Sequence, residues 1–197
     1  MLAALLAHLL LCVIAVAVAA AIALPLGFIA ARQPSIERAL SGAFGALYTI
    51  PSLALLAILV RYLGLGNLSV EIALIAYALY AIFRATVAGV RAIPSEQREV
   101  ALALGIGALR RNWRIELPLA LPNIVAGIRI AMLGSIALAT LGGYVGGSGL
   151  GTIIFTGFAL QNRAMLIEGA VAVAALAVLT DIMLRSSERL LRERLAS

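Results

Sequence analysis

Apolar positions in this chain fall in long unbroken runs. They do not alternate as in half-buried strands, and they show no narrow helical stripe with a polar back. Leu9 to Ala31 contains no charged residue, and neither does Ala39 to Val60, which has Pro51 in its middle. A third run extends from about Leu68 to Val90, with Glu71 near one end and Arg84 near the other. A fourth covers about Ile124 to Leu141 and a fifth about Ala164 to Arg185. About 20 apolar residues carry a helix across the hydrocarbon layer. The pattern therefore predicts an all-α polytopic membrane protein with about five transmembrane helices.

The polar interruption between the third and fourth runs, Arg91 to Asn123, predicts different local structure. Pro94 and Ser95 suit a helix start, and Glu96 suits its first turn. A short helix over Glu96 to Leu104 follows, and Gly105 stops it. A second short element over Ala108 to Glu116 places Leu109 and Trp113 one turn apart. Pro118 and Pro122 then re-set the chain before it re-enters the membrane.

Composition sharpens this picture. Of 197 residues, 63% are hydrophobic and 12% charged, far from the balance of a soluble domain. One transmembrane domain over 1–197 is the expected organisation, and neither a basic leading region nor a small-residue cleavage site marks a secretory signal. All fifteen cationic side chains are arginines. The phosphate-binding loop of ATPases needs a lysine, so ATP chemistry of that kind would have to come from another polypeptide. Cys12 is the one cysteine and lies in an apolar run, which predicts neither disulfide nor metal site.

The net charge of +6 is explained by topology and needs no nucleic acid. With five crossings, Arg32, Arg38, Arg91, Arg98, Arg110, Arg111, Arg114, Arg185, Arg189, Arg192 and Arg194 all fall on one side, eleven of the fifteen. Only Arg61 and Arg163 fall on the other, while Arg84 and Arg129 lie near span ends, where they can snorkel. Positive residues mark the cytoplasmic side, so the N-terminus is expected outside and the C-terminus in the cytoplasm.

The interruption admits a simple reading, an interfacial hairpin whose arginines face lipid phosphates with Trp113 at headgroup level. It also carries a gapped pattern: Glu99-Val100-Ala101, three residues, Gly105, nine residues, then Ile115-Glu116-Leu117-Pro118. This resembles the EAA loop of ABC importer permeases, Glu-Ala-Ala, three residues, Gly, nine residues, Ile-x-Leu-Pro, with Val100 as the one departure. Small residues at Ala101 and Ala103 permit close approach, Gly105 allows a turn, and Glu99 offers an anchor for a cationic or amide partner.

The resemblance extends over nearly the whole chain. "ALPLGFIAAR", "TIPSLALLAIL" and "GGYVGGSGLGTIIFTG" look like osmoprotectant permeases, which import glycine betaine, carnitine or choline; methionine importers share the fold and the loop. The resemblance implies a methionine-importer-like type I permease fold in a bacterial or archaeal inner membrane. It implies three partners: cytoplasmic ATP-binding subunits that grip the loop, an extracytoplasmic substrate-binding protein, and a second permease subunit, identical or paralogous. Glu99, Ala101, Gly105, Ile115, Leu117 and Pro118 are then the coupling-loop residues. No cofactor or metal is expected. The competing reading is a stand-alone channel or membrane assembly protein, and an ATPase partner for the loop discriminates the two.

Gly142, Gly143, Gly146, Gly147, Gly149 and Gly151 crowd the outer end of span four. Glycine this dense does not sustain a helix. It predicts either a flexible external turn or a gate segment lining a pathway, and the resemblance favours the gate. Gly146-Gly147-Ser148-Gly149 also matches the Gly-x-Ser-Gly of rhomboid-type proteases. Against that enzyme reading stand the lack of a general base near Ser148, since the only histidine is His8 at the N-terminal extreme, and a span count one short of the usual rhomboid core.

Ionisable residues in the spans (Glu71, Arg84, Glu168 and Asp181) are expected to pair or snorkel at span ends, with Asp181 and Arg185 one helical turn apart. Tyr48, Tyr77, Tyr80 and Tyr144 could hold quaternary amines by cation–π contact, but tyrosines also pack helices and anchor interfaces. They do not by themselves define a substrate site. Pro51 and the Pro25-Leu26-Gly27 step are candidate hinges or ordinary kinks.

Overall fold

A computed structural model describes residues 1–103, 105 and 107–196, apart from the side chains of residues 98, 100–102, 108, 109 and 194–196. Every regular element among them is helical: α1 (Leu2–Ala30), α2 (Pro34–Thr49), α3 (Ser52–Leu63), α4 (Asn67–Arg91), α5 (Ser95–Ala103), α6 (Ala108–Arg111), α7 (Leu117–Gly142), α8 (Leu150–Ala159) and α9 (Arg163–Ala196). A π turn, Asn112–Glu116, joins α6 to α7, and a 3₁₀ turn, Gly143–Val145, follows α7.

The core is the seam where α4 packs between α1 and α7. The buried face of α1 includes Cys12, Ala15, Ala19, Ala23, Gly27 and Ala30. Small residues three or four apart let backbones approach closely, which is how helices associate when lipid removes the hydrophobic drive between them. Large apolar side chains point outward instead, among them Leu6, Leu10, Ile14 and Ile22 on α1 and Val171, Val178, Ile182 and Met183 on α9. Such an apolar exterior suits a hydrocarbon solvent.

The second run is not one straight span. Its two halves, α2 and α3, meet at 91°. Pro51 causes the break: a residue before proline is pushed out of the helical region, and Ile50 is extended at φ −64°, ψ 129°. The Ile50 carbonyl, released from any helical ladder, accepts a hydrogen bond from Tyr77 Oη on α4. The bent pair still joins the two ends of α4. At its start Glu37 meets Arg84 (3.1 Å) and Arg91 (2.8 Å), and only Gly64–Gly66 separates its finish from Asn67.

Other sequence expectations shift too. The fourth span starts early, at Leu117, and runs through Pro118 and Pro122 without a re-set. Pro118 lies in the first turn, where no amide donor is required. The fifth helix continues past Arg185 to Ala196, carried by pairs four apart such as Arg189–Glu193 (2.8 Å) and Arg192–Glu188 (3.0 Å). The Pro25 step stays inside α1.

Candidate functional site

The loop from Arg91 to Asn123 folds as a helical hairpin on the arginine-rich end of the bundle. Its first helix ends at Ala103, and Gly105 turns the chain with φ +67°. This is a left-handed conformation that a residue with a Cβ adopts at a cost. Nothing lies within 4 Å of where a Cβ would stand at Gly105, so only the backbone requirement speaks for glycine. Glu99 and Gly105 are exposed, while Ile115, Leu117 and Pro118 are half-buried at the root of α7. The side chain of Ala101 lies outside the described residues, as does that of Leu109, so the expected Leu109–Trp113 pairing falls outside them too. Trp113 is exposed beside an apolar groove that includes Leu24 and Phe28 of α1.

The residue that fixes this hairpin is one the motif leaves unspecified. Glu116 is buried, 1% exposed, and both its carboxylate oxygens are engaged. Oε1 accepts from Arg111 Nε at 3.0 Å, and Oε2 accepts from Arg32 at 2.7 Å. Arg32 also donates to Asn112 Oδ1. Arg111 and Glu116 are five apart, a spacing that an α-helix places on different faces. The intervening π turn, closed by the Leu117 N–H on the Asn112 carbonyl, brings them onto one face. π turns are rare and gather at functional sites. The loop is thereby tied to the connection after α1, which Glu37 in turn ties to α4. Arg32 and Arg111 are structural ion-pair partners here, not lipid-facing charges. The sequence offered one hint, a carboxylate set between Ile115 and Leu117.

At the opposite end, the glycine-rich segment is a packed turn and not a flexible one. At Gly151 an added Cβ would lie 2.1 Å from the Thr140 carbonyl oxygen, so α8 folds back tightly on α7. With ten residues, α8 is too short to cross. His8 closes this turn from α1. Buried, its Nε2 donates to the Ile136 carbonyl at 3.1 Å and its Nδ1 accepts from the Leu150 N–H at 3.2 Å, roles assigned from the network. The fold thus brings the N-terminal histidine next to the Gly-x-Ser-Gly match. Ser148 does not bond to it: the Ser148 hydroxyl donates to Asn67 Oδ1 at 3.0 Å. No nucleophile–base pair forms between Ser148 and His8.

Asp181 pairs with Arg185 at 3.0 Å as its spacing predicted. Arg129 does not snorkel; it bridges Asp181 (3.2 Å) and Glu188 (3.7 Å) on α9. Glu71 departs from expectation in the other direction, with both carboxylate oxygens buried and without a hydrogen-bond partner among the described residues. Tyr48, Tyr77 and Tyr80 come together at the α2–α3 break, whereas Tyr144 stands apart against Phe155.

Comparison with known proteins places this geometry. Residues 23–193 match the family described as the binding-protein-dependent transport system inner membrane component. A carnitine transport permease protein of Listeria monocytogenes is 36% identical over 185 residues, covering 92% of this chain and 83% of that protein. A choline transport system permease protein of Bacillus subtilis is 36% identical over 182 residues, covering 92% and 84%. Among solved structures, an inward-facing form of the MetNI methionine ABC transporter aligns with a TM-score of 0.89 over 97% of this chain and 95% of that one, at 20% identity. A hairpin rooted in buried ion pairs, a broken second span and a polytopic helical bundle therefore belong to a permease of the binding-protein-dependent transport system inner membrane component family.

Proposed function

We propose that residues 91–123 are the coupling loop of a permease domain spanning 1–197, through which a separate ATPase drives import of quaternary-amine osmoprotectants such as glycine betaine, carnitine or choline. The observation that carries the mechanical half is the Glu116 ion-pair cluster. Motion imposed on the exposed α5 face, where Glu99 stands, passes through a buried carboxylate to α1 and α7 rather than dissipating in a free loop. The substrate class rests on relatives whose names state carnitine and choline. The likeness to the methionine transporter is one of fold at 20% identity.

In this reading two permease subunits enclose the pathway, a binding protein delivers cargo to the glycine-rich face, and two ATPases dock beneath. The glycines from Gly142 to Gly151, sealed by His8, form the outer gate. The bent α2–α3 pair connects opposite ends of α4, which supports five crossings, and the arginine-rich end is then cytoplasmic. In this reading the N-terminus lies outside and the C-terminus inside. ATP binding shifts the population between outward- and inward-open states, with the hydrolytic chemistry in the partner.

Co-purification from the native host tests the coupling role. Wild type is expected to retain an ATPase that Glu99→Arg and Gly105→Trp lose while still inserting in the membrane. Absence of any ATPase from wild type, even after cross-linking, would overturn the reading in favour of a stand-alone membrane role.

A further inference from the structure

Beside the α2–α3 break lies an open-sided cavity of about 280 Å³ between α2, α3, α4 and α7, lined by Tyr48, Ser52, Tyr77, Gly134, Ser135 and Leu138 among others. We propose that it is a transient site for a quaternary ammonium group on the transport path. This rests on the substrate reading above and gives it a location.

Four observations converge. First, the aromatic faces are gathered and oriented. Tyr48 lies 5.5 Å from Tyr77 and 5.1 Å from Tyr80 between ring centroids, and the Tyr77 hydroxyl is pinned to the Ile50 carbonyl. Second, α2 ends and α3 begins here, so helix ends of opposite sign meet and leave the cavity without a net positive field that would repel a cation.

Third, no charged side chain lines the cavity among the described residues. A primary ammonium carries three donors that need acceptors. A quaternary ammonium has no N–H to satisfy and spreads its charge over methyl groups, so aromatic faces hold it without an ion pair. Fourth, Ser135 is 3% exposed and lines the cavity. With Ser52 it offers a donor to the polar tail of such a cargo. Tyr48, 45% exposed, stands at the open side through which cargo would pass.

The test uses the assembled permease–ATPase complex in lipid nanodiscs, in a cysteine-free background carrying Cys12→Ala and Ser135→Cys. Two thiol reagents of similar size are compared, trimethylammonium-ethyl and neutral hydroxyethyl methanethiosulfonate, each rate normalised to a free thiol in solution. The expected preference for the quaternary reagent is about tenfold, the factor given by ~1.4 kcal/mol of differential attraction. It should persist in Tyr48→Phe, which keeps the ring face, fall to about one in Tyr48→Leu, and be competed by choline. If Ser135→Cys does not assemble, Ser52→Cys reports on the same cavity.

A normalised ratio near one with Tyr48 in place would overturn the site, as would no labelling by either reagent with and without ATP. Uptake of labelled choline, carnitine and glycine betaine by wild-type proteoliposomes separates the two readings. Uptake without the labelling preference removes the site and leaves the substrate class standing. Preference without any uptake removes the transport role and the substrate class together.

Discussion

Arg32 and Glu116, 84 positions apart in the chain, meet at 2.7 Å where the connection after α1 touches the root of α7. Arg32 is one-third exposed and Glu116 is 2% exposed at its side chain. The pair is therefore asymmetric: the carboxylate is committed to the interior, while the guanidinium retains access to water. Removing one member of a buried pair is costly because the other is left uncompensated, by about 3–5 kcal/mol. Glu116→Ala, which leaves Arg32 and Arg111 facing each other, is expected near the top of that range. Arg32→Ala, with Arg111 still on Glu116, is expected near the bottom. Thermal unfolding of the detergent-solubilised complex measures both, and equal losses would refute the asymmetry.

The same cluster makes a functional prediction. Arg32→Gln keeps a hydrogen-bond donor but discards the charge, so folding should survive while the loop loosens from α1. Cargo imported per ATP hydrolysed is the quantity to follow. It should fall at least several-fold while ATP hydrolysis persists, and an unchanged ratio would mean that the clamp only stabilises.

His8 sits at the junction of α1, α7 and α8. In His8→Leu the Leu150 N–H loses its partner in a buried setting, at about 1–3 kcal/mol, whereas the Ile136 carbonyl keeps the Thr140 hydroxyl. His8→Gln, which offers both a donor and an acceptor, should recover part of the loss. Protease sensitivity of the segment around Gly147 reports the loosened turn, and equal sensitivity in the leucine and glutamine variants would count against this role.

Glycines in this chain are not equivalent. Gly151→Ala would force a methyl against the Thr140 carbonyl and separate α8 from α7, whereas an added methyl at Gly42, inside α2, meets nothing within 4 Å. The first is expected to cost at least 2 kcal/mol by overpacking (~1–3, occasionally more). The second should gain about 0.5–1 kcal/mol from helix propensity. The signs are opposite, and melting temperatures of the two variants decide between them.

Tyr77→Phe removes only the hydroxyl that satisfies the Ile50 carbonyl at the α2–α3 break. An orphaned carbonyl away from water costs about 1–3 kcal/mol, so a lowered melting temperature with the aromatic face retained is the expected result. No change in melting temperature would mean that water or lipid headgroups reach Ile50.

Much of this protein could be read directly from its residues. The membrane class follows from run length, because hydrocarbon demands about 20 apolar residues per crossing wherever they fold. The start of the loop's first helix and the turn after it follow from local chemistry, since Ser95 and Gly105 act within a turn or two of themselves, whereas Pro118 and Pro122 did not break the chain as their type suggests. Asp181 and Arg185 were legible for the same reason, as neighbours on one helix.

What the sequence did not disclose are meetings over long separations. Nothing local distinguishes Glu116 from a surface glutamate, or Arg32 from the other topology-setting arginines, until α1 and α7 pack and a π turn re-aims the side chain. Pro51 announced a bend, but not its 91° nor that the Tyr77 hydroxyl of α4 would donate to the freed carbonyl. Four tyrosines looked alike in the sequence, and only helix packing gathered three of them, two lining a cavity, and left Tyr144 against Phe155. The length of each apolar run fixes which segments become helices, because backbone hydrogen bonds in lipid must close within the segment. Which side chains meet is decided by how closely small-residue faces let those helices approach, and that is a property of pairs of segments.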